Sequence, residues 1–131
     1  MNISKLSKKQ VEKTPHKLDV RKLYDNTSAQ AMHITLQPGE VLKPHITPVD
    51  FFFYILERTP EFLIGEEKVQ VEADCLVESP KDIMYCIYNH STQGARILVV
   101  KAPQPTTQSK LLFKGNNWRS SLLELSFFGF N

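Results

Sequence analysis

The sequence predicts an all-β domain whose strands, about seven to nine of them, close into a sandwich or barrel. Two observations carry this. From residue 29 onward, short β-prone runs recur at the roughly 8–12-residue spacing such folds use, and clusters of Gly, Pro, Asn, Asp and Ser punctuate them. The length also fits: 131 residues suit one domain, and a domain of that size buries roughly 65–70% of its unfolded surface without disulfides or a structural metal.

Residues 11–24 are charged, with apolar side chains at irregular spacing broken by Pro15, and support at most a short helix or an edge strand. In residues 31–36, Met32, Ile34 and Leu36 fall on one face and His33 and Thr35 on the other, and Gln37-Pro38-Gly39-Glu40 follows as a turn. Residues 51–57 form a continuous apolar run, the pattern of a central strand covered on both faces. Residues 61–72 read as a hairpin with its turn at 65–68. Three further strands, at 75–78, 84–89 and 95–101, are separated by Ser79-Pro80-Lys81-Asp82 and by the loop at 89–94.

Charge and cysteine usage narrow the setting. The net charge is +2, and most of the positive charge is local: residues 1–22 carry seven Lys/Arg against Glu12 and Asp19. Residues 1–28 therefore read as a basic N-terminal arm, solvated rather than nucleic-acid-binding. Cys75 and Cys86 match no zinc or redox spacing and read as buried free thiols. There is no signal-peptide-like apolar run and no stretch near the roughly 18–20 apolar residues that cross a bilayer. A reduced, cytoplasmic setting without membrane association is the expectation.

Two segments, residues 39–47 with Gly39 and His45 and residues 74–89 with Pro80 and Asn89, carry a motif spacing. With them, residues 29–103 resemble the cupin superfamily, whose fold is a small double-stranded β-helix or jelly roll. The first cupin motif runs Gly, five residues, His, one residue, His, three or four residues, Glu, six residues, Gly. Gly39 and His45 keep its register, while Thr47 stands at the second His, Phe51 or Phe52 at the Glu, and Arg58 at the last Gly. The second motif runs Gly, five residues, Pro, one residue, Gly, two residues, His, three residues, Asn. Pro80 and Asn89 match; Asp74 and Asp82 replace the glycines and Tyr85 replaces the His. Asp tolerates left-handed and Asx-turn geometry, so both turns are expected to persist.

In metal-binding cupins, the resemblance implies, three imidazoles and one carboxylate converge on Fe, Mn, Ni, Cu or Zn. Of those four positions only His45 keeps a ligand here. A metal-free barrel is the expectation. The alternative is a divalent transition metal on a rebuilt set that joins His33 to His45, with Asp50 placed by parity away from the imidazole.

Period-two alternation then surrounds His45 with Thr47, Phe51, Phe53, Tyr85, Ile87 and Asn89, an aromatic and apolar pocket for a small apolar or weakly polar ligand. The same phenylalanines also suit plain core filling, since an eight-stranded barrel is just wide enough for side chains to fill it. Tyr85 requires a hydrogen-bond partner if buried, and His45 is the natural one. Cys86 has the opposite parity and reads as a packed thiol, and His90 as a loop residue.

Two functions stay open: a small-molecule-binding barrel that is metal-free or metal-poor, or a metal-dependent isomerase, dioxygenase or lyase rebuilt around His45. Residues 104–131 form an apolar C-terminal extension carrying Leu122, Leu123, Leu125, Phe127, Phe128 and Phe130, which favours a homodimer. Light scattering is expected to give a dimer for the full chain and a monomer after truncation at Ser109; equal masses would remove the tail from dimerisation.

Overall fold

Alternating apolar side chains on most of the ten described strands build a single core between two sheets. The structure is a computed structural model and describes residues 1–14, 17–107 and 109–112. Its strands are β1 (Asp19–Asn26), β2 (Ala29–Leu36), β3 (Val41–Ile46), β4 (Phe51–Glu57), β5 (Glu61–Ile64), β6 (Glu67–Gln70), β7 (Leu76–Ser79), β8 (Tyr85–Tyr88), β9 (Ala95–Lys101) and β10 (Lys110–Leu111). One sheet has the order β1-β2-β9-β4-β7 and the other β10-β3-β8-β5-β6, with every pairing antiparallel. This is the double-stranded β-helix expected. A short 3₁₀ turn, Leu6–Lys8, is the only helix among the described residues.

The core follows the predicted parity. Ile34 and Leu36 of β2, Phe51, Phe53 and Ile55 of β4, Phe62 of β5, Ile87 of β8 and Ala95, Ile97 and Val99 of β9 meet inside. Phe53, Ile55, Ile87, Ala95 and Ile97 are fully buried. Because burial of apolar area contributes roughly 25 cal/mol per Å², these residues supply the main force that closes the two sheets.

One expectation is narrowed and two are corrected. The edge strand that residues 11–24 allowed is β1, residues 19–26, which pairs with β2, and Leu18 and Val20 join the core. Their apolar signal is short and is masked by the flanking charges. Strand β4 is central in its sheet, yet only one face is fully covered: Phe51, Phe53 and Ile55 are buried while Phe52, Tyr54 and Leu56 are partly exposed. The β5–β6 turn is confined to Gly65 and Glu66, since Gly65 takes φ +58° and lets Ile64 pair directly with Glu67. The apolar tail beyond residue 112 lies outside the described residues.

Three non-glycine residues hold the conformation that the family motifs assign to glycine. Arg58, Asp74 and Asp82 have φ of +69°, +64° and +61°. Left-handed backbone costs a residue with a Cβ roughly 1–2 kcal/mol, so the surrounding hydrogen bonds must over-determine these turns. They do: Asp74 N donates to Ile55 O at 2.8 Å, Asp82 N donates to Thr47 O at 2.9 Å, and the Arg58 guanidinium donates to Gln93.

Asn89 closes the barrel end. Its Nδ2 donates to Leu36 O and Gln93 O, each at 2.8 Å, and its Oδ1 accepts from Ser91 N and Ser91 Oγ at 2.9 and 2.7 Å. The backbone adds Gly39 N to Asn89 O at 2.9 Å and Asn89 N to Glu40 O at 3.1 Å. Asn89→Ala is expected to cost about 3 kcal/mol, because it orphans several buried groups at once. Asp82→Gly should change stability by no more than about 1 kcal/mol, since relief of left-handed strain offsets the freer unfolded chain. Chemical denaturation of both variants checks the contrast.

Candidate functional site

Alternation along β3 and β8 turns His45 and Tyr85 inward from facing strands, where they are register partners. The β3–β8 register shifts between Leu42 and His45, an irregularity of the kind that re-aims a side chain. His45 Nδ1 lies 2.8 Å from the Lys43 carbonyl oxygen. A carbonyl only accepts, so Nδ1 carries the proton, and in the neutral imidazole Nε2 is a bare acceptor. The Tyr85 hydroxyl donates to it at 2.6 Å.

The direction of the remaining bonds is then forced. Tyr85 has one hydroxyl proton, so Thr47 Oγ1, also 2.6 Å from the phenol, donates to Tyr85 rather than the reverse. Ser109 Oγ in turn donates to Thr47 at 2.6 Å. A one-way chain of hydroxyls therefore runs from Ser109 to the imidazole. Thr47 and Tyr85 are buried, and burial pushes the Tyr85 phenol up to about 12 although the Thr47 and Ser109 hydroxyls beside it pull it down. Phe51 and Phe53 pack their ring edges against the phenol, with centroids 4.9 and 5.6 Å away.

Beside this chain lies a cavity of about 270 Å³. Val20, Met32, Ile34, Leu42, Phe53, Val99 and Leu111 form its apolar wall, and His45, Tyr85, Lys101, Ser109, Lys13 and Thr14 its polar part. Among the described residues the lining contains two lysines and no carboxylate. Lys101 continues the inward parity of Ile97 and Val99 at the end of β9, and burial draws its pKa down. A second hollow of about 430 Å³ lies against Phe52, Leu76 and Val100, on the opposite face of β4 from the imidazole.

The expected pocket is only partly assembled around this cavity. His45, Phe53 and Tyr85 line it. Thr47 stands behind Tyr85 as a hydrogen-bond relay, Phe51 and Ile87 are core residues, and Asn89 clamps the barrel end. Shared parity aligns these side chains with the interior, but the barrel is packed in layers, and only one layer is hollow. His33 does not converge with His45. It sits on the outer face of its sheet, buried, with Nε2 accepting from Arg96 Nε at 3.1 Å, and desolvation followed by the neighbouring Arg96 charge lowers its pKa. Its parity is opposite to that of Met32 and Ile34, which face the cavity. The structure therefore does not bring His33 and His45 together. Asp50 is exposed and accepts from Lys81 N at 2.9 Å.

A transition metal of the kind the family motif implies does not fit these residues. Both imidazole nitrogens of His45 are engaged, by a carbonyl and by a phenol, and the other motif positions hold hydroxyls or phenylalanine. Among the described residues no three His, Cys, Asp or Glu side chains gather closely enough to hold an ion.

A cupin domain model matches residues 32–101, more than half of the chain. This chain belongs to the cupin family. Among solved structures this cupin is similar to the TT1209 protein of Thermus thermophilus, with 25% identity, 80% of this chain and 100% of that one covered, and a TM-score of 0.68. It is also similar to the polyketide cyclase RemF of Streptomyces resistomycificus, at 14% identity over 99% and 98% of the two chains with a TM-score of 0.77. A third similar structure is a predicted oxalate decarboxylase of Thermotoga maritima, at 16% identity over 79% and 100% with a TM-score of 0.70. The last two likenesses show the fold alone. No curated protein matches the chain.

Of the cavity residues that sequence reasoning missed, Lys101 had a legible signal, the continued parity Ile97, Val99, Lys101 on β9. Ser109 and Thr14 had none, because each reaches the cavity from an irregular segment. Tyr85→Phe is expected to destabilise this cupin by about 1–3 kcal/mol, by leaving His45 Nε2 and the Thr47 hydroxyl without their shared partner. In the unsubstituted protein the raised phenol keeps its stabilising, protonated form at neutral pH, and that stability is lost as pH rises from 10.0 through about 12. Ultraviolet titration checks this: the last tyrosine step should vanish in Tyr85→Phe.

Proposed function

We propose that this cupin is a small-molecule-binding barrel that works without a bound metal. The observation that carries the reading is the hydrogen-bonded state of His45. The one imidazole at a motif ligand position has both nitrogens in use, and its partner Tyr85 is held protonated by burial. A cation there would have to displace the phenol and would find, among the described residues, no second imidazole or carboxylate on the cavity wall. The cavity beside it is concave and mostly apolar, with a few convergent polar groups, which is the makeup of a ligand site.

The same proposal places the protein in a reducing cytoplasm, supported by free Cys75, which is exposed, and free Cys86, which is buried. No helix among the described residues is long and apolar enough to cross a membrane. A homodimer joined through the apolar tail belongs to the proposal as well, on the sequence argument alone.

Elemental analysis of purified protein, with His45→Ala alongside, tests the metal-free reading. Sub-stoichiometric metal that is the same in both proteins is expected. A near-stoichiometric transition metal that disappears in His45→Ala would overturn the reading and favour the metal-dependent enzyme.

A further inference from the structure

We infer that the barrel cavity takes a small amphipathic monocarboxylate, whose charge is met by Lys101 and whose apolar part lies against the wall that Ile34, Phe53 and Val99 form. This rests on the reading of the cavity as a ligand site and adds to it the sign and class of the ligand. Three independent observations converge on it.

The first is an uncompensated cation. Lys101 lines the cavity at the end of β9, and among the described residues no carboxylate pairs with it and none lines the cavity. A half-buried ammonium without a counter-charge is costly to keep, and a bound anion removes that cost. Lys13 at the same cavity has the same sign, so no cationic ligand suits the site.

The second is an orphaned hydroxyl. Thr14 Oγ1 is buried in the cavity lining and has no hydrogen-bond partner. Buried polar atoms are almost always paired, so the group awaits an acceptor or donor from outside the chain. A carboxylate has two oxygens and can accept from the Thr14 hydroxyl and the Lys101 ammonium together.

The third is the balance of the wall. Apart from these groups, the His45 imidazole and the hydroxyls of Tyr85 and Ser109, the lining is apolar, and among the described residues no arginine offers the fork that phosphate recognition favours. The volume, about 270 Å³, lies just under the roughly 300–1,000 Å³ of drug-sized sites, so the ligand is small. The half-buried Lys101 ammonium, the orphaned Thr14 hydroxyl and a mostly apolar wall fit a monoanion with a hydrocarbon or aryl tail. They do not fit a sugar or a phosphate ester.

Octanoate, octan-1-ol and octylamine, added to the full-length protein, are the probes, with binding read by calorimetry and by the shift in Tm. Octanoate should bind at least about tenfold more tightly than octanol, and octylamine should not bind. Lys101→Met should abolish that preference while leaving octanol binding in place, and Lys101→Arg should retain most of it. Lys101→Met should also raise the ligand-free Tm, because an ammonium that burial disfavours is replaced by an apolar side chain of similar length. Thr14→Val, which leaves the lysine intact, should weaken octanoate several-fold and octanol not at all. Equal binding of octanoate and octanol, or a preference that survives Lys101→Met, would overturn the inference while leaving the cavity reading standing. Absence of binding by all three probes to the folded protein would overturn both.

Discussion

The pairing of β3 with β8 is the constraint on which the rest of this barrel depends. Three cross-links join the two motif segments: the Gly39 and Asn89 backbones at one end, His45 with Tyr85 in the middle, and Asp82 N to Thr47 O at the other end. In a metal-binding cupin the family motif implies that an ion would tie the same two strands together. Here a chain of hydroxyls and one imidazole occupies that place, each bond near 2.6 Å and each donor assigned by the Lys43 carbonyl at the end of the chain. Hydrogen bonds in a buried, low-dielectric setting polarise one another, so such a chain holds the strands in register as long as every member is satisfied.

The turns show how the fold outlasts its motif. Arg58, Asp74 and Asp82 all occupy positions where the motifs carry glycine, and all three keep positive φ. Backbone geometry at these corners is set by the sheets they connect, through ladder pairs on either side and a cross-segment hydrogen bond at each corner. The side chain has to accept the conformation that the sheets impose. Topology is thus enforced by many distributed contacts, whereas ion coordination depends on four particular side chains. Three of those four positions carry other residues here, and the fold is kept.

The cavity has the opposite character, because its charges work against stability. Lys101 would be cheaper to bury as methionine, and Thr14 Oγ1 would be better satisfied in water. Local choices that conflict with folding concentrate at sites of function. On the outer face, His33 Nε2 accepts from Arg96 Nε at 3.1 Å and Arg96 donates to Glu57 at 3.0 Å, and none of the three lines the cavity.

What the sequence by itself determined was the alternation, and therefore most of the strands from residue 29 onward, which residues of a strand share a face, and the barrel class. Strand β9 was legible to the residue, residues 51–57 matched β4, and the His45–Tyr85 contact followed from parity and motif register, because side-chain period and chain spacing are local properties. The tertiary structure decided which inward residues face a cavity and which pack solid. Ile87 and Phe51 share the parity of Tyr85 and Phe53 yet are core, and His33 points to the outer face of its sheet. It also decided that Thr14 and Ser109 reach the site from segments without periodicity, and that the weakly patterned residues 19–26 add an edge strand. Layering in a closed barrel depends on strand stagger and on the volumes of side chains from several strands at once, and no single stretch of sequence carries that sum.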